Sequence, residues 1–464
     1  MRPWAPWRRF VNTHELAVCF VAGAIAFAPV AYPEPIVLQN VRVIDGNGGP
    51  PIEHADILIN RDRITAVNVS GQVAIPAGAT IVNLSGKTAL PGLISDHSHL
   101  GLVDGASAAG HNVTRENILR QLRQYEAFGV TTVTSLGLNL QPFYDLQPKL
   151  HFGALPGADI FGADRGFGVD MGAPPAAMGI LNKQVYRPST AEEARLMVRE
   201  TVPRHPDLIK IWVDDMHGTV PNKMNPVIYK AVIDEAHANH LRVAAHIYYL
   251  DDAERLVNDG IDILAHGVRD KPVDTNLIQA MKARDVWYIP TLGLDETFFV
   301  FAEHPPWMQQ PFFRHALQPA LAAQFDDPAW RAKKLADTKT ISEEKAAFAM
   351  NMQNIKAMYA AGVKIGFGTD SGATPLRIAG FAEHRELQLL TDAGLTPLQA
   401  IGAATKNAAA LLALDDRGVI EPGKLADLLI VDGDPSRHIA DIDRIASVWH
   451  RGKQVATSIA TFSP

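Results

Sequence analysis

Apolar and polar positions alternate over short β-branched runs from Ile36 to about Leu90, and each run closes in a turn. IVLQNVRVIDG (36–46), ADILINRDRITAV (55–67) and TIVNLSG (80–86) each predict a strand. The same texture returns near the far end, in DLLIVDGDP (427–435) and IASVWHRGKQV (445–455). Two β segments flanking a long middle predict one small β-sandwich domain, built from residues 36–90 and 418–464.

Between them, over 91–417, apolar runs alternate with amphipathic stretches of helical period. The clearest strands are GVTTVTSLG (129–137), DLIKIWVDD (207–215), RVAAHIYY (242–249), IDILAHG (261–267), VWYIPTLG (286–293) and VKIGFGTD (363–370). Helix signals sit between the strands. Ser189 with Glu192 reads as a capping box, and Asn225–Pro226 and Thr396–Pro397 each place a cap before a first-turn proline. Gly260 and Gly362 stand where a helix should end. Repeated β-α units imply a parallel sheet, and about eight of them over roughly 320 residues fit a closed (β/α)8 TIM barrel, an α/β fold. One connection is long. Some fifty residues between Thr291 and Ser342, including HPPWMQQPFFRH (304–315), predict a lid or binding loop.

The first 31 residues carry a different message. Arg2, Arg8 and Arg9 precede an uncharged apolar run from Leu16 to Ala31, with small-residue sites such as Ala26–Phe27–Ala28 and then Pro33 and Pro35. This predicts a secretory signal peptide and an exported protein, periplasmic or secreted. The run is about sixteen residues, short of the roughly 20 that span a bilayer, so no stable span is expected after cleavage. An uncleaved anchor is the alternative. Cys19 is the one cysteine, which rules out an intrachain disulfide. A net charge of −7 offers no electrostatic case for a nucleic-acid partner, and self-association into a homo-oligomer stays open.

The chemistry-bearing residues fall at the C-terminal ends of the expected barrel strands, where such barrels place their active sites. In LPGLISDHSHL (90–100), His97 and His99 are two apart on a strand, so both imidazoles point to one side. Such a pair suits zinc or a similar ion, and Asp96 is placed to orient a ligand. His246 and His266 end successive strands. Asp370 ends VKIGFGTD, where a carboxylate can bind a metal, accept a proton, or both. Lys210 is a cation inside the apolar run LIKIW; taken alone it reads as snorkelling to the rim or as paired with Asp214 or Asp215.

His-x-His, Lys, His, His and Asp on strands one, four, five, six and eight resemble the binuclear-metal branch of the amidohydrolase superfamily. GVIEPGKLADLLIVDGDP (418–435) is similar to that superfamily's C-terminal signature, and the resemblance extends over the whole chain after residue 31. The imidazolonepropionase-related and prolidase-like members look nearest. The resemblance implies that His97, His99 and Asp370 bind one divalent ion, and that His246 and His266 bind a second, more exposed one. Zinc is the expected metal. It implies that Lys210 is carboxylated into a bridging ligand, which removes the repulsion an ammonium would feel between two dications. It further implies a metal-activated water as nucleophile, with Asp370 as its proton acceptor and His246 beside it among the catalytic residues. No acid follows His246 at the third position, and Lys210 is present; both features depart from the superfamily's deaminases and from imidazolonepropionase itself. RVAAHIYYLDD also departs from the characterised dipeptidases.

Tyr248 or Tyr249 could meet a substrate carbonyl, and Arg269 and Arg165 could grip a substrate carboxylate; packing and rim ion pairs are the alternatives. The expected reaction is amide hydrolysis of a dipeptide or N-acyl amino acid. A lactone, cyclic amide or phosphotriester is the alternative on the same site, and a catalytically dead scaffold would be marked by missing ligands, none of which is missing.

Overall fold

The computed structural model describes residues 34–456. The expected signal segment, with Cys19, and residues 457–464 lie outside the described residues. Among those described, no helix is long and apolar enough to cross a membrane.

Strands from both ends of the chain share one eight-stranded sheet. Lys87–Pro91 is the link. It runs parallel to Ile36–Val43, with Arg42 opposite Thr88, and antiparallel to Leu428–Asp432, with Leu90 opposite Leu429. The unbroken apolar run LLIV has a simple cause: successive side chains leave a strand on opposite faces. Leu428 and Ile430 join a core with Leu38, Ile57 and Trp449, while Leu429 and Val431 join the larger core of the barrel. The stretch at 55–67, expected as one strand, is instead part of a hairpin. Ile52–Asn60 pairs antiparallel with Arg63–Val69, and the turn places Arg61 at φ 58°. Polar Asn60, Arg61 and Asp62 suit that turn, but the apolar alternation on either side masks it.

The middle of the chain supplies eight parallel strands: β1 (Leu93–Ser98), β2 (Val130–Ser135), β3 (Asp159–Gly162), β4 (Leu208–Trp212), β5 (Arg242–His246), β6 (Ile263–Ala265), β7 (Trp287–Ile289) and β8 (Lys364–Ile365). Pairing runs β1–β2–β3 and β4 through β8 in order. Bridges Ala163–Leu208 and Ser98–Ser371 connect the two sets, so the pairing returns to its first strand, as in a TIM-barrel fold. The short β3, ended by Gly162, is the strand least visible in the sequence.

Asn225 and Thr396 cap their helices as expected, each with proline in the first turn. The cap expected at Ser189 lies one residue later. Thr190 accepts from Glu193 N, and Glu193 accepts from the Ser189 backbone and hydroxyl. Two adjacent hydroxyl residues, followed by two adjacent glutamates, allow either register. Gly260 and Gly362, both at positive φ, follow Leu250–Asn258 and Thr338–Ala360. The insertion after β7 is helical throughout rather than a bare loop, and ends in the 23-residue helix Thr338–Ala360. Its aromatic residues anchor it. Phe301 stacks on Phe325 at 4.7 Å, and Trp307 meets Phe381 of the last barrel helices at 5.3 Å.

Candidate functional site

The six singled-out residues meet at the C-terminal ends of β1, β4, β5, β6 and β8. Asp370 Oδ1 lies 3.0 Å from His99 Nε2 and 3.3 Å from His97 Nε2. The His266 ring is 4.6 Å from that of His97 and 4.4 Å from that of His246. Ligand atoms of His97, His266 and Asp370 lie within 4.8 Å of one another, close enough to share one ion. The approach of β1 to β8 depends on Gly368. A Cβ there would stand 2.5 Å from His97 Cβ, which no packing tolerates. Backbone strain gathers at the same rim: His266, Thr291 and Asp370 have φ of 75°, 45° and 56°. Non-glycine residues adopt such angles only where their surroundings hold them.

Lys210 neither snorkels nor pairs with Asp214 or Asp215. It is fully buried and its Nζ has no hydrogen-bond partner. Burial lowers its pKa to about 7 against the pull of Asp370 and Asp214. Asp214 lies 3.4 Å from His246 Nε2 instead, and Asp215 accepts from Tyr249. Burial, then Lys210, bring His97 down to about 3; burial and the neighbouring histidines hold His266 well below its ordinary value. His246 is lowered too, mainly by burial. These imidazoles are therefore neutral, the form that binds metals. Burial works against the charge on Asp370, but Arg377 and the two histidines outweigh it and keep the carboxylate ionised. Both nitrogens of His97, Nδ1 of His99 and Nζ of Lys210 are buried without hydrogen-bond partners. Native proteins rarely leave such atoms orphaned, and a set of neutral imidazoles with one carboxylate fits divalent ions of the zinc class.

The cluster opens into a cavity lined among others by His99, His246, His266 and Asp370. Tyr248 lines it too, with its hydroxyl 2.9 Å from His217 Nε2 and the Arg269 guanidinium 4.8 Å from its ring centre. Arg269 also faces the cavity, held by Asp295 at 2.7 Å and the Ile247 carbonyl at 3.0 Å. Arg165 does not line it. It pairs with Glu200 and lies over Tyr186, the rim arrangement of an ordinary ion pair. Tyr249 is turned to Asp215 and Lys223. Asp96 accepts from Phe367 N at 3.1 Å and orients no histidine.

Several partners were invisible in the sequence. Thr291 Oγ1 is 2.7 Å from His266 Nδ1, fixing which nitrogen faces the cluster. Arg377 forms an ion pair with Asp370. Glu383, fully buried, accepts from Thr369 and Ser371 hydroxyls at 2.6 and 2.7 Å, from Ser95 at 3.1 Å and from Gly380 N at 2.8 Å. It thereby grips both neighbours of Asp370 and the strand bearing His97. The hydroxyls flanking Asp370 were the available signal; a glutamate thirteen residues on was not.

Residues 225–455 match the family model described as the amidohydrolase family. The chain is similar to a 5-methylthioadenosine/S-adenosylhomocysteine deaminase of Bacillus cereus, 36% identical over 100 residues, 20% of this chain. That match spans only 23% of the curated relative. A Xaa-Pro dipeptidase structure with bound methionine superposes at TM-score 0.73 and 21% identity, covering 91% of this chain and 100% of that one. Molinate hydrolase does so at 0.71 and 20%, covering 93% and 98%. These structural likenesses establish the fold.

Proposed function

The chain belongs to the amidohydrolase family, and we propose that it is a metal-dependent hydrolase cleaving an amide bond in a small substrate, a dipeptide or N-acyl amino acid. The observation that carries this reading is one buried cluster, His97, His99, Lys210, His246, His266 and Asp370, which holds orphaned polar atoms and meets a cavity through His99, His246, His266 and Asp370. In this reading residues 91–417 are the catalytic barrel, 36–90 with 418–464 form the small β sandwich, and residues 1–31 direct export. Proteins of like fold named for dipeptide and molinate hydrolysis support it.

His97, His99 and Asp370 would hold one divalent ion, His246 and His266 the other, and Lys210, carboxylated, would serve both. Two such ions supply an activated water and a polarised carbonyl. Thr291 orients the His266 ring, and Asp214 stands beside His246. Asp370 accepts the proton at its carboxylate and returns it to the leaving amine. Tyr248 and Arg269 offer donors to the substrate from the cavity wall.

The test is a hydrolysis screen of zinc-loaded protein with bicarbonate, read by mass spectrometry. It sets dipeptides and N-acyl amino acids beside lactones, cyclic amides and phosphotriesters, with Lys210→Met as control. Amide cleavage lost in the control is the expected result. Turnover confined to the other classes would keep the site and discard the amide assignment.

A further inference from the structure

Taking the hydrolase reading as given, we propose that the cavity admits a substrate bearing a cationic group, an ammonium or guanidinium, held between Glu344 and Asp295. Five charged side chains face this cavity: Arg269, Asp295, Glu344, Asp370 and Arg377. Two pairs account for four of them, Arg269 with Asp295 Oδ1 and Arg377 with Asp370. The Glu344 carboxylate has no hydrogen bond or ion pair among the described residues. The second observation is independent of it. Asp295 is buried, and its other oxygen, Oδ2, has no hydrogen-bond partner.

Both carboxylates come from the insertion after β7, Asp295 from Gly293–Glu296 and Glu344 from Thr338–Ala360, beside apolar Leu294 and Phe298. Two acids on one such wall repel. Burial and then Asp295 push Glu344 up to about 7, against the opposing pull of Arg269 and Arg377. A substrate cation seated there answers Glu344 and the free oxygen of Asp295 together, while the histidine cluster faces the scissile carbonyl. A group without charge leaves both acids unanswered, so the discrimination comes from charge rather than from size.

The probes are N-acetyl-lysinamide and N-acetyl-norleucinamide, identical but for the ammonium, titrated by calorimetry at pH 8 into the zinc-loaded protein. The expected result is at least about tenfold tighter binding of the lysine probe. In Glu344→Gln, whose amide mimics the neutral acid and whose melting temperature is checked alongside, that ratio falls to within about twofold; in Glu344→Lys it inverts. Equal affinities in the unaltered protein overturn the proposal, as does a preference that survives Glu344→Gln, or no detectable binding of the lysine probe at millimolar concentration. Hydrolysis of a neutral dipeptide by the unaltered protein alongside a missing preference would remove the cation subsite and leave the hydrolase reading standing. A preference lost on Glu344→Gln, without hydrolysis of any amide, would do the reverse.

Discussion

At the N-terminal end of β3, Asp159 is fully buried and each oxygen is answered. Oδ1 takes His151 at 2.5 Å and Ile160 N at 2.9 Å; Oδ2 takes Arg417 at 2.9 Å and Arg451 at 3.4 Å. Arg417 spends its remaining donors on Thr132 and Asp416. At the opposite ends of β1 and β4, His97 and Lys210 are just as deeply buried, yet their nitrogens find no hydrogen-bond partner. Burial is the same in both places and satisfaction is not. The first arrangement pins the C-terminal segment to the barrel. The second is costly unless something outside the chain completes it, and unsatisfied buried groups clustered beside a cavity are a mark of function rather than architecture.

The comparison breaks most decisively at Lys210. Lys210→Met should lower hydrolysis by more than about a thousandfold, yet leave the metal-free protein as stable as before or more so, since it removes a buried amine that has no hydrogen-bond partner. Arg417→Met should do the opposite. It removes the nearer of the two guanidinium groups on Asp159 Oδ2 and should cost about 3–5 kcal/mol in urea unfolding, with the hydrolysis of the remaining folded protein little changed. If Lys210→Met destabilised as Arg417→Met does, the contrast between the two ends would be lost.

Glu383 sits between the two cases, a satisfied acid that serves the unsatisfied cluster. Glu383→Gln should weaken zinc binding by about 10–100-fold in a chelator competition, and Glu383→Asp should recover part of it. Unchanged affinity would leave it a purely structural residue.

Asp159 also predicts a pH signature. Its partners outweigh burial and hold its pKa down to about 2, so it binds a proton less readily folded than unfolded. Its contribution is therefore full above about pH 4 and lost as the pH falls towards about 2, amounting to about 2 kcal/mol. Urea midpoints should fall over that window, and Asp159→Asn, weaker at neutral pH, should lack that part of the slope.

The smallest effect belongs to Arg165. Paired with Glu200 outside the cavity, it should change kcat/KM less than about twofold on Arg165→Gln. A tenfold loss would return it to the substrate.

Local signals carried much of this. Alternation exposed the strands from both chain ends, helical spacing and glycine stops marked the β-α units, and His97 and His99 share a face because strand side chains repeat every second residue. Two of the errors were local: the capping box slipped by one residue because Ser189 and Thr190 stand side by side, and the turn at Arg61 was hidden inside an apolar alternation. What the tertiary structure alone decided was pairing across the closed barrel. Thr291 with His266, Arg377 with Asp370, Glu383 beneath Asp370, Asp295 and Glu344 on one wall, and Arg165 turned away from it all depend on which strand ends and insertion helices meet. Hydrophobic period and turn chemistry act over a few neighbouring residues. Whether a buried charge is answered depends on atoms brought within about 3 Å by chain closure, and no local pattern records that.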